Sequence, residues 1–165
     1  MNFRRILRHL LVTPWRVRRA FPRAALAAIE RAVQASEPSH SGQIRFAVEG
    51  ALHGARLFGG QTPRQRALEV FSFLRMWDTE HRNGVLIYLL LADRAVEIVA
   101  DRGAHAHIGG EEWRSICRTM EEHFRAREYE RGAVRGIEAV ARHLARQFPG
   151  QPGEVRELPE RPIVL

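Results

Sequence analysis

The 165-residue chain has no lysine, a single cysteine, and no acidic residue before Glu30. Each absence removes a class of function. Without lysine there is no Schiff-base chemistry and no phosphate-binding loop of the lysine type. The lone Cys117 excludes an intrachain disulfide and a multi-cysteine zinc site. It lies between Ile116 and Met120 on a helical pattern and reads as a small core residue rather than a nucleophile. No run of 18 apolar residues occurs, so no membrane-spanning helix is expected. The longest apolar run near the start is Leu10-Leu11-Val12, too short for the core of a secretory signal.

What is present is a soluble-domain composition with its charge concentrated at one end. Hydrophobic residues are 45% and charged residues 27%, which argues against wholesale disorder. The net charge of +7 is matched by seven arginines within residues 1–23, leaving the remainder balanced. The basic segment is therefore an arm, residues 1–21, ahead of a neutral body at 22–148 and a proline-containing tail at 149–165. A neutral body makes nucleic acid the weakest partner class, since that partner selects a basic face on the folded domain. In the arm, Phe3, Ile6, Leu7, Leu10 and Leu11 fall at helical spacing beside Arg4, Arg5 and Arg8. Such a segment fits an anionic membrane surface; the alternative is an arm that packs Trp15 and Phe21 onto its own domain.

The body reads as alternating helix and strand. Pro22 opens a helix whose apolar stripe is Leu26, Ile29 and Val33. Ile44, Phe46 and Val48 alternate with Arg45 and Glu49 as a strand. Residues 51–61 are ambiguous, with loop character at Gly59-Gly60. Thr62-Pro63-Arg64-Gln65 is a capping box, and its helix carries Leu68, Phe71 and Leu74 as far as Trp77. Val85–Ala92 is a near-continuous apolar run, the mark of a strand buried on both faces. Asp93-Arg94 then predicts a tight hairpin into an edge strand at Val96, Ile98 and Ala100. Two helices follow, lined by Trp113, Ile116, Met120 and Phe124, then by Ala133, Ile137, Val140, Leu144 and Phe148. The expected fold is an α/β, Rossmann-like three-layer sandwich: a small mixed sheet, one parallel pair plus an antiparallel edge hairpin, with helices on both faces.

Several of these segments together are similar to the TPM domain family. They are Gly42-Gln43-Ile44-Arg45-Phe46-Ala47-Val48, Asn83-Gly84-Val85-Leu86-Ile87-Tyr88, the run Asp93–Gly103, and the glycine-bearing stretch Gly132 to Ile137. The resemblance spans about residues 22–148. It implies the same sandwich, and functions that range from divalent-cation binding and acid phosphatase activity to photosystem repair and receptor assembly. The signal peptide and membrane tail of many members are not seen in this sequence, which leads to the expectation of a cytoplasmic, stand-alone branch, peripheral at the inner membrane if its arm engages lipid. The stretch matching the family's aspartate-bearing N-terminal motif runs Val12-Thr13-Pro14-Trp15-Arg16-Val17 and holds no acid.

Candidate metal-ligating residues are Asp78, Glu80, Asn83, Asp93 and Asp101. Asp78, Glu80 and Asn83 share one loop and could offer three oxygens to Ca²⁺ or Mg²⁺, although Arg82 opposes a cation and capping of a solvated turn is the plainer account. Asp93 and Asp101 bracket the third strand, each followed by an arginine that could pair with it. His105-X-His107 would suit Zn²⁺ if extended, but its setting is glycine-rich. No Ser-His-Asp set can be assigned. The sequence therefore reads as a non-catalytic accessory domain with a protein partner, such as a membrane protein or another TPM-type protein. The alternative is a metal-assisted acid phosphatase using Asp78, Asp93 and Asp101.

Overall fold

The computed structural model describes residues 3–150 and 158–165. Helices α1 (Phe3–Leu11), α2 (Pro14–Ala20) and α3 (Arg23–Ser36) precede strand β1 (Gln43–Glu49). Helices α4 (Gly54–Phe58) and α5 (Pro63–Phe73) separate it from β2 (Gly84–Leu90), which turns back into β3 (Ala95–Ala100). Then come α6 (Arg102–Ile108), α7 (Gly110–Arg125), α8 (Tyr129–Gln147) and a short β4 (Ile163–Val164).

The sheet order is β3-β2-β1-β4. β1 runs parallel to β2, from Gln43 opposite Gly84 to Glu49 opposite Leu90. β2 and β3 are antiparallel. The expected pair and hairpin are thus present, and the tail adds a fourth strand parallel to β1 through Ala47–Ile163 and Val48–Val164. β1 and β2 are buried along their whole length. On one face Ile44, Phe46, Val48, Val85, Ile87 and Leu89 pack with Ile29, Ile116, Met120, Ile137 and Leu144 of α3, α7 and α8. On the other, Ala47, Leu86, Tyr88 and Leu90 pack with Ile6 of α1, Leu57 of α4 and Ala67, Val70 and Phe71 of α5.

Local chemistry sets the boundaries. Thr62 and Gln65 form the reciprocal capping box at the start of α5. The helix stops at Phe73, four residues short of the expected Trp77, because Arg75 takes a left-handed conformation at φ 52°. Arg75 N–H then bonds Ser72 O and Met76 N–H bonds Phe71 O, a Schellman closure with Met76 folded back toward Phe71. The stripe that α5 buries is Ala67, Val70 and Phe71, while Leu68 is exposed. The β2–β3 connection is Leu91–Arg94 rather than two residues. Leu91 and Ala92 still donate to Glu49 O and Gly50 O, and Arg94 closes the turn at φ 53°. The ambiguous residues 51–61 hold α4. The residues around His105 and His107, expected to be loop, form α6, capped by Asp101. Of the tail, residues 151–157 lie outside those described. Leu158 and Ile163 pack on the second face of the sheet, so the described end of the tail docks on its own domain.

Gly84 opens β2 where a Cβ would stand 2.0 Å from the Met76 carbonyl oxygen. That contact is backbone, so the strand itself must shift. Gly84→Ala is expected to destabilise the domain by about 2–3 kcal/mol, read by chemical denaturation. A loss below about 0.5 kcal/mol, the scale of a neutral surface change, would show that β2 does not approach the end of α5 so closely.

Candidate functional site

In open α/β sheets ligands bind beyond the carboxyl ends of the parallel strands. Here the N-terminal helices cross that end. α1 places Ile6 on one face of the sheet, and α2 places Val17 on the other. The link between them runs over Gly50, where a Cβ would meet Val17 Cγ2 at 2.7 Å. What remains open is a cleft of about 350 Å³ lined by Val12, Thr13, Pro14, Val17 and Arg18 with Glu49, Gly50, Ala51, His53, Val164 and Leu165. The acid-free stretch from Val12 to Val17 forms one wall of this cleft.

The carboxylate nearest that cleft is already committed. Tyr88 Oη donates to Glu49 Oε2 at 2.6 Å. Arg66 of α5 forks onto the same group, Nε to Oε2 at 2.8 Å and Nη2 to Oε1 at 3.2 Å. Burial, reinforced by the Glu49 charge, pushes the Tyr88 phenol far above its ordinary range, so it stays a neutral donor. Burial alone would lower Arg66, but the bonds and charge of Glu49 hold it above its usual value. The arrangement ties α5 to β1 and engages both Glu49 carboxylate oxygens.

A second cluster fastens the arm. Arg5 Nε reaches Asp93 Oδ1 at 3.1 Å and Oδ2 at 3.0 Å, and its Nη2 donates to Oδ2 at 2.8 Å and to Gln61 O at 2.7 Å. Arg8 adds a looser contact at 3.6 Å. His9, fully enclosed, accepts the Leu52 N–H on Nδ1 at 2.9 Å. Its Nε2 therefore carries the proton and lies 3.2 Å from Asp93 Oδ1, bent away from a full hydrogen bond. Burial lowers the His9 pKa, more than Asp93 raises it. Burial would raise Asp93, but Arg5 and His9 outweigh it and hold the carboxyl below its ordinary value. The sequence pointed at Asp93 and missed Arg5 and His9. Their one signal was spacing, since Arg5, Ile6 and His9 share the inner face of α1.

With its inner face so held, α1 turns the rest outward. Phe3 (74% exposed), Leu7 (48%), Leu10 (62%) and Leu11 (54%) form an apolar ridge that Trp15 of α2 (62%) extends. Arg4, Arg8, Arg16, Arg18 and Arg19 are exposed around it. The arm thus buries Phe21 on its own domain and leaves Trp15 outside.

The other candidates separate. Asp101 and Asn83 meet at the amino end of β2, where Asp101 N–H bonds Gly84 O at 2.8 Å. Asn83 is buried, with Nδ2 to Ser41 Oγ at 3.3 Å and its N–H on Thr79 Oγ1 at 3.2 Å. Asp78 and Glu80 are exposed on the same loop. Asp93 stands at the opposite end of β2, joined to the arm. Asp101 Oδ1 caps α6 through Arg102 N–H at 2.7 Å, while its buried Oδ2 has no hydrogen-bond partner among the described residues. Among the described residues no group of three or more His, Cys, Asp or Glu side chains gathers in metal-binding proximity. His105 and His107, two apart on a helix, do not share a face; His107 Nδ1 instead contacts Gly103 O at 2.7 Å. Burial pushes the Cys117 thiol up to about 12, far from a reactive thiolate.

A mixed sheet covered on both faces, its parallel strands crossed at their carboxyl ends by a helix pair, defines a Rossmann-like α/β sandwich. The sequence matches the TPM domain over residues 18–143, and the chain belongs to that family. The matched region begins inside α2, so α1 lies outside it. A similar solved structure is the BA42 protein of the psychrophilic bacterium Bizionia argentinensis, with a TM-score of 0.75 and 28% identity, covering 86% of this chain and 93% of that one. The N-terminal domain of a P. gingivalis protein shares the fold, with a TM-score of 0.56, 22% identity and 72% of each chain covered. No curated protein matches the sequence.

The His9 geometry gives arm docking a pH dependence of definite sign. The folded-state pKa lies below the ordinary imidazole value of 6.5, so the unfolded state binds more protons in that window, and docking weakens as pH falls below 6.5. The depressed Asp93 acts in the same direction at lower pH, below its ordinary 3.8. Hydrogen exchange at the Leu52 amide, taken relative to Ile87 in β2, should speed up between about pH 7.5 and pH 5. His9→Gln should flatten that response. Equal relative protection at both pH values would disprove the assignment.

Proposed function

We propose that this TPM domain is a non-catalytic accessory module, held at the anionic cytoplasmic face of a membrane by α1 and α2, where it supports membrane proteins or another TPM-type protein. The observation that carries this reading is the ridge of Phe3, Leu7, Leu10, Leu11 and Trp15, exposed on two consecutive helices and set among arginines with no acid before Glu30. Large apolar side chains left in water beside cations suit a bilayer interface, which takes the apolar face and attracts the charge. No helix among the described residues is long and apolar enough to cross a membrane, so the contact would be peripheral. The non-catalytic part is supported by the chemistry of the polar side chains at the carboxyl end of the sheet, where Glu49 is spent on Arg66 and Tyr88 and Asp93 on Arg5.

Co-sedimentation with vesicles tests the reading. The protein should partition onto phosphatidylcholine vesicles containing phosphatidylglycerol, less onto phosphatidylcholine alone, and less as salt rises. Leu7→Glu with Leu10→Glu should reduce partitioning by at least about 30-fold, since two apolar anchors contribute about 2 kcal/mol or more. Equal binding by the variant and the parent would remove the ridge as the site.

One observation favours a second reading. Asp101 Oδ2 is buried without a partner at the end where the Asp78–Asn83 loop closes, and a carboxylate so placed is satisfied by a divalent cation. If Ca²⁺ or Mg²⁺ binds there, titration moves the amide resonances of Gly84 and Arg102, and Asp101→Asn abolishes the change. Resonances that stay put dispose of this site. Hydrolysis of an aryl phosphate that required both Asp78 and Asp101 would replace the accessory reading with a phosphatase.

A further inference from the structure

At the far end of α2 from Trp15, a groove of about 550 Å³ separates the α2–α3 junction from the turn between α7 and α8. Arg19, Arg127, Arg131 and Arg135 line it, with Tyr129 and the two acids Glu128 and Glu130. The chain builds this wall by a sharp reversal. Arg127 N–H bonds Phe124 O, Glu128 N–H bonds His123 O, and Arg127 itself is left-handed at φ 63°. Gly132 allows α8 to start against α7, where a Cβ would press on Phe124 at 2.7 Å and His123 at 2.8 Å. Tyr129 stacks on Phe124 with ring centres 5.7 Å apart and tilts against Phe21 at 5.6 Å, so the groove has a packed aromatic wall rather than a loose one.

The charges in the groove do not cancel. Glu128 is held by His123 Nδ1 at 2.7 Å, with Arg131 further off at 3.6 Å. Arg135 has only a loose contact to Glu138 at 3.6 Å. Arg19 lies over the Trp15 ring at 5.3 Å. Among the described residues neither Arg19 nor Arg127 has an acidic partner. Four planar guanidinium forks around one concavity are the donor geometry that phosphate oxygens match.

We propose that this groove binds a phosphate oxyanion, supplied at the bilayer by a phospholipid headgroup. The phosphate chemistry stands on the groove alone; the lipid source rests on the membrane reading above. Position supports that source. Trp15 and Arg19 share one face of α2, with the guanidinium 5.3 Å from the indole centre, so an interface that takes Trp15 also meets the arginine at the edge of the groove.

Two probes test the proposal on the full chain. Inorganic phosphate, titrated against chloride at matched ionic strength, should shift the amide resonances of Arg19 and of residues 127–135. Arg127→Gln with Arg131→Gln should weaken that binding at least about tenfold. Should the double variant fold poorly, Arg135→Gln leaves the turn intact and should show a smaller loss. On phosphatidylcholine–phosphatidylglycerol vesicles the same changes should reduce partitioning by roughly fivefold per arginine. The ridge variant Leu7→Glu with Leu10→Glu should bind phosphate as the parent does while failing to sediment with vesicles. Shifts that chloride reproduces, or that survive loss of the arginines, overturn the groove and leave the ridge untouched. Phosphate binding combined with vesicle partitioning indifferent to Arg127 and Arg131 overturns the lipid source.

Discussion

Strands β1 and β2 have no solvent face. Every residue from Gln43 to Glu49 and from Gly84 to Leu90 is buried, so the sheet needs an apolar layer on each side and cover at its open edge. Helices α3, α7 and α8 supply most of one layer, with Val17 of α2 and Ile108 of α6. The second layer is thinner, made by the short α4 and by α5, and the chain completes it with Ile6 from its N-terminal helix. The requirement to cover this face recruits α1 into the fold, although α1 lies outside the region matched to the family. The same need for cover draws the tail to the free edge of β1, where Pro159 and Pro162 precede a strand of two residues and limit pairing on that side.

Recruiting a cationic helix into a packed layer has an electrostatic cost, since Arg5 and His9 must leave water. Asp93 offsets it. Its position on the β2–β3 turn lets one carboxylate meet Arg5 through several bonds and face the His9 ring as well. The fastening also fixes rotation. With Arg5, Ile6 and His9 committed inward, the helix cannot hide Phe3, Leu7, Leu10 or Leu11, and the exposed ridge follows from the buried clamp. The function proposed for the arm and the stability of its docking are two faces of the same seven-residue geometry.

The usual ligand end of the sheet is reshaped by the same device. The link from α1 to α2 passes over Gly50 and narrows the space beyond β1. The wall it contributes, Val12 to Val17, is apolar and basic and holds no acid. Glu49, the one acidic side chain lining this space among the described residues, is ion-paired by Arg66 and hydrogen-bonded by Tyr88. This end of the sheet thus presents Arg18 and hydrocarbon around a carboxylate that is already paired.

Much of this was legible in the residues themselves. Continuous apolar runs gave β2, alternation gave β1 and β3, and the 3.6-residue stripes gave α3, α7 and α8, because burial pattern is a local property of sequence. Thr62 and Gln65 announced the start of α5 for the same reason. The end of α5 at Phe73 was not legible, since an arginine in a left-handed conformation replaces the glycine that would have marked it. Nor could composition show that Ile6 faces in while Leu7 and Leu10 face out; both lie on one amphipathic helix, and only contact with Leu52 and Asp93 decides its rotation. The sequence by itself determined the three main strands, the longer helices between them, their order and the cationic arm, but not α4, α6 or β4. Tertiary structure alone decided which carboxylates were already paired, which apolar residues were left in water, and which arginines gathered in one groove, because each depends on residues distant in sequence, such as Arg5 and Asp93 or Arg19 and Arg135, meeting in space.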